Sequence, residues 1–208
     1  PLTAIAFFML TGELMTSATI TDRLVALSRA LIGRIRGGLA QVNVLVSMFF
    51  AGMNGSVVAD TATVGALVLP AMKKAGYPAA FSAAVTGVSS TIGGIIPPSI
   101  MMIVLANSTE ISIAALFAAG IIPGILIGVV IMIINHYFAI KYNFERSDEP
   151  FSIRRAGKEL YRSSFALLIP LVLVGSVMGG VASVVEAGAI TAMVALLTGV
   201  FVYRTIKW

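Results

Sequence analysis

The stretch that decides the fold, residues 38–72, reads GLAQVNVLVSMFFAGMNGSVVADTATVGALVLPAM. It is too long for one membrane crossing, which needs roughly 20 apolar residues. Asn54-Gly55-Ser56 divides it into two halves that are each shorter than a crossing. The residues that flank it are basic on both sides: Arg34, Arg36, Lys73 and Lys74. Because positive charge marks the cytoplasmic side of short membrane loops, we predict a re-entrant helical hairpin with its tip inside the membrane.

The composition is that of an integral membrane protein made of helices. The 208 residues are 58% hydrophobic and 11% charged, against about 25% charged in a soluble domain. The formal net charge of +5 comes from short basic clusters and not from a basic stripe, which argues against nucleic-acid binding. Without cysteine, and with a single histidine, the chain holds neither a thiolate site nor a two-histidine metal site. The sequence begins inside an apolar helix, and we expect it to be a piece of a longer protein.

A second apolar run, residues 79–106, contains the residues that break helices. Near its centre lie three hydroxyl residues followed by two glycines and two prolines: Ser89, Ser90, Thr91, Gly93, Gly94, Pro97 and Pro98. Proline lacks the amide donor and clashes with the preceding helical turn. We predict a discontinuous membrane helix, a feature with which many transporters coordinate sodium and anionic substrates near the midplane.

Helices are also predicted on both sides of this central part. Residues 1–37 hold the end of an apolar helix and an amphipathic segment, 21–35, predicted to lie at the cytoplasmic interface with Thr19 or Thr21 as its cap. A solvated connecting helix is an equal alternative for that segment. Residues 107–208 hold the remaining helices, with a polar interface segment at 141–162.

Local sequence patterns predict helix ends, a turn and helix packing within residues 107–208. Asn107 and Glu110 are spaced as a helix N-cap pair, and Ser183 and Glu186 as a capping box. Gly179 and Gly180 are expected to turn the chain. Three glycines recur at four-residue intervals, which favours close helix packing: Gly120, Gly124 and Gly128. With the hairpin re-entrant, all 14 lysines and arginines fall on the cytoplasmic side.

Asp60 is the candidate functional side chain of the hairpin. An acid in hydrocarbon is costly and needs a partner, a cation or a wet cavity. Asp60 lies four residues after Ser56, on the same face and near the positive end of its helix, although it could simply cap or brace that end. The hydroxyls of residues 89–91 could bond back to carbonyls one turn earlier, but beside the helix break they resemble ligands for a hard cation such as sodium.

Enzyme classes fit the sequence poorly. An intramembrane aspartyl protease would need a second membrane aspartate besides Asp60, and a serine protease would need a histidine facing the serine. His136 is predicted at the cytoplasmic end of another helix. We therefore expect a transporter subunit and no enzyme, while a channel remains an alternative because channels also use hairpins and broken helices.

Several motifs resemble a known family. MFFAGMNGSVVADTATVGALVLPAMKKAGY followed by AAFSAAVTGVSSTIGGIIPPSI resembles the DctM-like large membrane subunit of tripartite ATP-independent periplasmic (TRAP) transporters. GELM, SIAALFAAGIIPGILIG and EAGAITAMVALLTGVFVYR extend the resemblance over essentially the whole chain. Two motifs depart from the family: GGIIPPS stands where members often have GPIIPPS, and SVVEA where they often have TPTEA.

The resemblance implies a function and a set of partners. It implies an elevator-type carrier in the cytoplasmic (inner) membrane of a bacterium or archaeon, driven by sodium and without other cofactors. The substrate would be an organic acid, such as a C4-dicarboxylate or sialic acid, delivered by a periplasmic binding protein, and a small four-helix membrane subunit would be a partner. Residues 38–106 would belong to the moving transport domain, with 1–37 and 107–208 in the scaffold. A passive channel or pore subunit, or another ion-coupled carrier of related architecture, is the alternative.

The resemblance also implies site residues. The first sodium site would fall on the hairpin tip and the broken helix, at Asn54, Gly55, Ser56, Ser90, Thr91, Gly93 and Pro97. Three further residues would face the substrate or brace the site: Asp60, Ser89 and Gly94. The family has two inverted repeats, and this chain covers the first, so we expect the substrate and any second sodium site to need residues outside it.

Overall fold

Every regular element in the described part of the chain is helical, so the fold is all-α as predicted. The computed structural model describes residues 2–33, 35–144, 152–203 and 205. The helices are α1 (Leu2–Ser17), α2 (Ile20–Ile32), α3 (Gly38–Asn54), α4 (Val57–Lys74), α5 (Ala79–Ser90), α6 (Ile100–Thr109), α7 (Ile113–Lys141), α8 (Ile153–Arg162), α9 (Ser164–Met178) and α10 (Val184–Leu197). A 3-10 turn, Thr91–Gly94, follows α5, and a π-helical turn, Thr198–Val202, follows α10.

Three helical segments of the described chain are long and apolar enough to cross a membrane. They are Ile113–Lys141, Ile153–Met178 and Val184–Val202. The first two helices form a bent pair, Thr3–Ser17 with Ile20–Ile32, at an angle of 71°, which would add a fourth span. These segments indicate a multi-pass membrane protein. By contrast, α3 and α6 are apolar but too short for a crossing.

The predicted division of residues 38–72 is confirmed as two helices joined by a two-residue turn. At the end of α3, Gly55 adopts a left-handed conformation with φ of 61°, which glycine reaches without a Cβ penalty. Ser56 is extended, and its Oγ accepts a hydrogen bond from the Ala59 amide at the start of α4 (3.3 Å). The Asn54 Oδ1 accepts a hydrogen bond from the Ser56 amide (3.0 Å), which fixes the corner.

The predicted break in residues 79–106 is also confirmed. The chain leaves α5 at Ser90, makes one 3-10 turn, and re-enters a helix only at Ile100. Ser99 joins the two sides of the break, because its Oγ accepts from the Met102 amide (3.3 Å) and donates to the Gly94 carbonyl (2.8 Å). The second part ends at Thr109, three residues beyond the predicted boundary.

Helix α3 lies at the centre of the fold and packs against α2, α4, α5, α7 and α9. None of its apolar side chains is exposed, and Val42, Val44, Val46 and Phe50 are fully buried. A helix that is apolar all round is stable only when other elements enclose it. The first arm of the hairpin is therefore surrounded by protein.

The glycines of α7 pack as the sequence predicts. A Cβ at Gly120 would overlap the carbonyl oxygen of Ile95, and one at Gly124 would overlap the side chain of Ile96. At Gly128 the neighbour is the side chain of Met48 on α3. The glycines therefore let α7 approach the backbone of the broken helix closely.

Two predicted caps are wrong. Thr19 precedes α2, but no side-chain hydrogen bond caps this helix, and the Thr21 hydroxyl is buried without a partner in the described residues. The second error concerns Asn107, which lies inside α6, while Glu110 follows that helix in a left-handed conformation. Ser112 takes over as the cap of α7, accepting from the Ala115 amide (3.4 Å). Helix α2 therefore begins after Thr19 without a side-chain cap, and α7 begins with Ser112 as its cap.

Most of the predicted amphipathic segment, 21–35, forms helix α2, which ends at Ile32. Leu24 and Leu27 are buried, whereas Leu31 and Ile35 are 42% and 40% exposed. Helix α2 packs against α3 and α8. It therefore contacts other helices along its first two turns and presents an apolar surface only near its end.

The capping box before α10 is confirmed and gives a first testable prediction. The Ser183 amide and hydroxyl donate to Glu186 Oε2 (2.8 and 2.7 Å), and the Glu186 amide donates to Ser183 Oγ (3.3 Å). We expect Ser183→Ala to cost about 1 kcal/mol, typical of a lost N-cap, and to lower the thermal unfolding midpoint of the purified full-length protein. As a control, Ser108→Ala removes an exposed hydroxyl that bonds only within its own helix, and should not lower the midpoint. Equal midpoints for the two variants would contradict the role of the cap.

Candidate functional site

The hairpin tip and the helix break meet in space. The Ile100 amide at the start of α6 donates a hydrogen bond to the Gly55 carbonyl (3.2 Å). A Cβ at Gly55 would overlap the Pro98 carbonyl oxygen, and one at Gly93 would lie 3.7 Å from the backbone of Ser56. The structure therefore brings together the two irregular segments that the sequence predicts as one site.

Four helix ends converge at this contact. The C-terminal ends of α3 and α5 carry partial negative charge, and the N-terminal ends of α4 and α6 carry partial positive charge. Two serines with equivalent roles, Ser56 and Ser99, cap the two N-terminal ends. The arrangement offers backbone carbonyls to a cation and amides to an anion within one small region.

A second polar group lies deeper between α3, α4 and α5. It consists of buried residues, and we call it the Asp60 cluster: Asn43, Ser47, Asp60, Thr86, Ser89 and Ser90. Both carboxylate oxygens of Asp60 are buried. The hydroxyls of Ser90 and Ser47 lie beside this carboxylate.

Hydrogen bonds between α3 and α5 hold the Asp60 cluster together. The Asn43 Nδ2 donates to Thr86 Oγ1 (2.7 Å), and the Ser89 hydroxyl donates to Asn43 Oδ1 (3.3 Å). The Ser47 hydroxyl donates to Ser89 Oγ (3.3 Å), and the Ser90 hydroxyl donates to the Thr86 carbonyl (2.8 Å). These bonds fix the hydroxyl oxygens around the carboxylate.

The predicted site residues lie in four different surroundings. Asn54, Gly55, Ser56, Gly93 and Gly94 lie at the contact between tip and break. Ser89 and Ser90 belong to the Asp60 cluster, and Pro97 is buried with its carbonyl facing α3 near Gly52. Thr91 is exposed, and its hydroxyl donates to the Val88 carbonyl (2.7 Å).

Sequence reasoning missed Asn43, Ser47 and Thr86. The signal was present, because Asn43 and Ser47 are four residues apart in a largely apolar helix, and Ser82, Thr86 and Ser90 repeat this spacing on α5. Side chains at this spacing share one helix face. Two such polar stripes in apolar helices indicate that the helices face each other.

A cavity of about 130 Å³ opens beside the tip, between α1 and the hairpin. Its lining residues come from both sides: Met9, Gly12, Glu13, Thr16, Asn54, Ser56, Ala59 and Thr63. Helix α1 approaches the tip closely, since a Cβ at Gly12 would lie 2.6 Å from the Asn54 Cβ. Asp60 does not line this cavity and is 0% exposed. Asn54 and Ser56 of the tip thus line this cavity, whereas Asp60 is enclosed.

Comparison with known proteins confirms the family that the sequence motifs resemble. The family model described as the tripartite ATP-independent periplasmic transporter, DctM component, matches residues 1–208. The chain belongs to the DctM family. Membership makes this DctM chain part of a transporter component and not of an enzyme.

Relatives of this DctM chain are large permease proteins. It is 36% identical over 205 residues to the sialic acid TRAP transporter large permease protein SiaM of Vibrio cholerae, covering 99% of this chain and 48% of SiaM. It is 36% identical over 206 residues to the C4-dicarboxylate TRAP transporter large permease protein DctM of Pseudomonas aeruginosa, with coverage of 99% and 48%. For the 2,3-diketo-L-gulonate TRAP transporter large permease protein YiaN of Escherichia coli the identity is 37% over 203 residues, with coverage of 98% and 48%. The DctM chain thus spans about half the length of these relatives.

Proposed function

We propose that this chain belongs to the large membrane subunit of a sodium-coupled TRAP transporter that takes up an organic acid. The observation that carries the proposal is the contact between the hairpin tip and the helix break, sealed by the hydrogen bond from the Ile100 amide to the Gly55 carbonyl. Irregular backbone within a membrane is stable only when protein or a water-filled cavity surrounds it. Two such segments that meet inside the fold are therefore best explained by a bound ligand.

The partial charges of the helix ends at the contact support the binding of both sodium and an organic acid. The carbonyl ends of α3 and α5 favour a cation, and the amide ends of α4 and α6 favour a carboxylate. We assign the sodium ion to the backbone around Asn54, Gly55, Ser56 and Gly93. Glu13, on the opposite wall of the neighbouring cavity, favours the entry of cations toward the tip.

The substrate class and partners are proposed from the relatives. SiaM, DctM and YiaN are named for sialic acid, C4-dicarboxylate and 2,3-diketo-L-gulonate, and each of these is a carboxylate. An organic acid is therefore the proposed substrate, delivered by a periplasmic binding protein. A small membrane subunit is the proposed partner in the inner membrane, as family membership implies.

We further propose that the hairpin is re-entrant and that residues 38–106 move as the transport domain of an elevator. The length of α3, which is apolar but too short to cross a bilayer, supports the first point. The second point is supported by Gly12, whose lack of a side chain lets α1 contact the tip without interlocking with it. The flanking helices would then form the scaffold.

Uptake by the reconstituted transporter tests the proposed function. The full-length permease containing this chain is placed in liposomes with its small subunit, and its binding protein is loaded with the radiolabelled organic acid. We expect an inward sodium gradient to concentrate the acid above its outside level, and we expect no accumulation with potassium in place of sodium or after an ionophore collapses the gradient. Passive equilibration that ignores the gradient would instead indicate a channel.

A further inference from the structure

Helix α8 contacts the rest of the described chain along one edge. The structure describes all 10 of its residues, and none of them is buried. Only Ala156 and Glu159 are half-buried, and α8 packs mainly against α2. At the end of this edge the Ser163 hydroxyl donates to the Arg23 carbonyl (3.3 Å). The contact with α2 therefore fixes how α8 is rotated and leaves the rest of its surface exposed.

The exposed surface of α8 is divided into an apolar arc and a basic arc. Successive residues of a helix are rotated by about 100°, which places the side chains of each arc within about 100° of one another. The apolar arc consists of three side chains that are 80%, 52% and 82% exposed: Ile153, Leu160 and Tyr161. The basic arc lies directly beside it and consists of Arg154, Arg155, Lys158 and Arg162. Adjoining apolar and basic arcs are typical of a helix that binds a membrane surface.

The charge of α8 is positive. Its one acidic residue, Glu159, pairs with Arg162 (3.3 Å), against four basic residues in the helix. Arg154 and Lys158 are exposed and lie one helical turn apart. Basic side chains that are clustered immediately beside a membrane span are attracted to anionic headgroups. The basic arc therefore favours a partner that carries negative charge.

The length of the helical segment places the basic arc at the level of the lipid headgroups. Helix α9 has 15 residues, or about 22 Å, and is too short to cross ~30 Å of hydrocarbon alone. The segment that can cross is Ile153–Met178, with 26 residues, or about 39 Å. With Met178 at one edge of the hydrocarbon, the other edge falls near Lys158, and the start of α8 extends about 8 Å into the headgroup layer. Arg162 lies one turn deeper and can reach this layer with its long side chain.

An anionic phospholipid fits both arcs. Its phosphate can accept hydrogen bonds from the basic arc, because arginine and lysine bind phosphate through charged donors. Its acyl chains can cover the apolar arc, where Tyr161 is of a residue type common at membrane–water interfaces. A free phosphate ion would leave the apolar arc in contact with water. An acidic protein would have to compete with the membrane for a surface at this depth.

We propose that the two arcs of α8 form a binding site for anionic phospholipids at the membrane surface where α9 begins. The site goes beyond the proposed function, because it depends neither on the transported acid nor on the coupling ion. Tyr203 connects it to neighbouring helices: its hydroxyl donates to the Arg162 carbonyl (3.0 Å), and its ring centre lies 4.1 Å from Arg23 Cζ. A lipid bound to α8 therefore stabilises the contact between α2, α8 and the turn that follows α10.

Binding of radiolabelled dioleoylphosphatidylglycerol to the purified full-length permease, in micelles of a neutral detergent, tests this site. We expect saturable binding that unlabelled phosphatidylglycerol displaces and the same concentration of phosphatidylcholine does not. Glycerol phosphate should not displace the lipid either, because it lacks acyl chains. Arg154→Gln with Lys158→Gln removes two charges from the basic arc, and we expect it to weaken one class of lipid site at least about tenfold. Ile153→Ser with Tyr161→Ser keeps every charge and should weaken the same class, because it removes most of the apolar arc.

Two double variants provide matched controls. Arg154→Lys with Lys158→Arg keeps the charge of the basic arc and should bind phosphatidylglycerol as the wild type does. Lys73→Gln with Lys74→Gln removes the same charge from another exposed basic pair, at the end of α4, and should also bind it as the wild type does. Thermal unfolding without added lipid shows whether each variant is folded.

Equal displacement by phosphatidylcholine and phosphatidylglycerol would overturn the proposal and would leave the basic arc to an acidic protein surface. Displacement by glycerol phosphate would overturn it in favour of a site for free phosphate. An equal loss of binding in the variant of Lys73 and Lys74 would also overturn it, since the attraction would then depend on total charge alone. If Arg154→Gln with Lys158→Gln does not fold, the apolar variant decides, and unchanged lipid binding in Ile153→Ser with Tyr161→Ser would refute the site.

Discussion

Gly55→Ala should abolish most sodium-driven uptake while Gly76→Ala should preserve it. Both glycines have positive φ, 61° and 78°, so an alanine at either position costs a similar backbone strain of about 1–2 kcal/mol. The surroundings differ. A Cβ at Gly55 would overlap the Pro98 carbonyl and approach Ser99, whereas a Cβ at Gly76 would meet nothing within 4 Å. Only the Gly55 variant separates the tip from the break.

The expected size of this effect follows from the geometry. A backbone carbonyl cannot rotate away as a flexible side chain can, so the tip must move as a whole and the oxygens of the proposed sodium site move with it. A loss of about 1.4 kcal/mol in cation affinity already lowers binding tenfold, and we expect uptake to fall by at least about this factor. The measurement is accumulation of the radiolabelled acid in liposomes under a sodium gradient, with thermal unfolding recorded for each variant.

The comparison with Gly76→Ala separates misfolding from loss of the site. If both variants lose the same few degrees of thermal stability but only Gly55→Ala loses uptake, strain alone does not explain the result. Gly180→Ala adds a second control, because Gly180 has φ of 66° and also has nothing within 4 Å of its Cβ position. A stable Gly55→Ala variant with wild-type sodium dependence would refute the role of this contact.

The breaks in both helices could be predicted because their causes are local. The Asn54-Gly55-Ser56 corner needs a residue at positive φ and a capping serine, and both are visible in the sequence. Two prolines after two glycines likewise prevent a continuous helix whatever surrounds them. Spacing along α7 also predicted the close approach of its glycines, since residues four apart share one face.

The directions in which the hydroxyl residues 89–91 point could not be predicted in this way. Ser89, Ser90 and Thr91 are consecutive, and each step along a helix rotates the side chain by about 100°. Ser89 and Ser90 face the Asp60 cluster, while Thr91 points outward. Which of the three faces which neighbour depends on how α5 is rotated against α3, and this is set by packing between distant parts of the chain.

The wrong cap between α6 and α7 has a similar origin. Asn107 and Glu110 match the spacing of an N-cap pair, but Ser112 matches the role equally well five residues later. The choice depends on how far α6 extends, and this helix continues through Asn107 to Thr109, where the Ser108 and Thr109 hydroxyls donate to carbonyls of the same helix. Local patterns therefore predict that one helix ends and another begins here, but the spacing of Asn107 and Glu110 does not give the residue at which this happens.

Gly120→Ala should destabilise the folded permease more than an alanine at Gly128. At Gly120 the added methyl group would overlap the Ile95 carbonyl of the broken helix, and backbone does not give way without moving the break. At Gly128 the neighbour is the flexible side chain of Met48, which can shift. Overpacking typically costs about 1–3 kcal/mol, and we expect Gly120→Ala near the upper end of this range.

Gly175→Ala in α9 provides the matched control, because Gly175 is also a glycine inside an apolar helix but has nothing within 4 Å of its Cβ position. Alanine favours a helix over glycine by up to about 1 kcal/mol, so this variant should be neutral or slightly stabilising. The measurement is thermal unfolding of the purified full-length permease in detergent. Since Ile95 lies between the 3-10 turn and the two prolines, a methyl group at Gly120 should also weaken sodium binding at the tip. Equal unfolding midpoints for Gly120→Ala and Gly175→Ala would show that α7 does not hold the break in place.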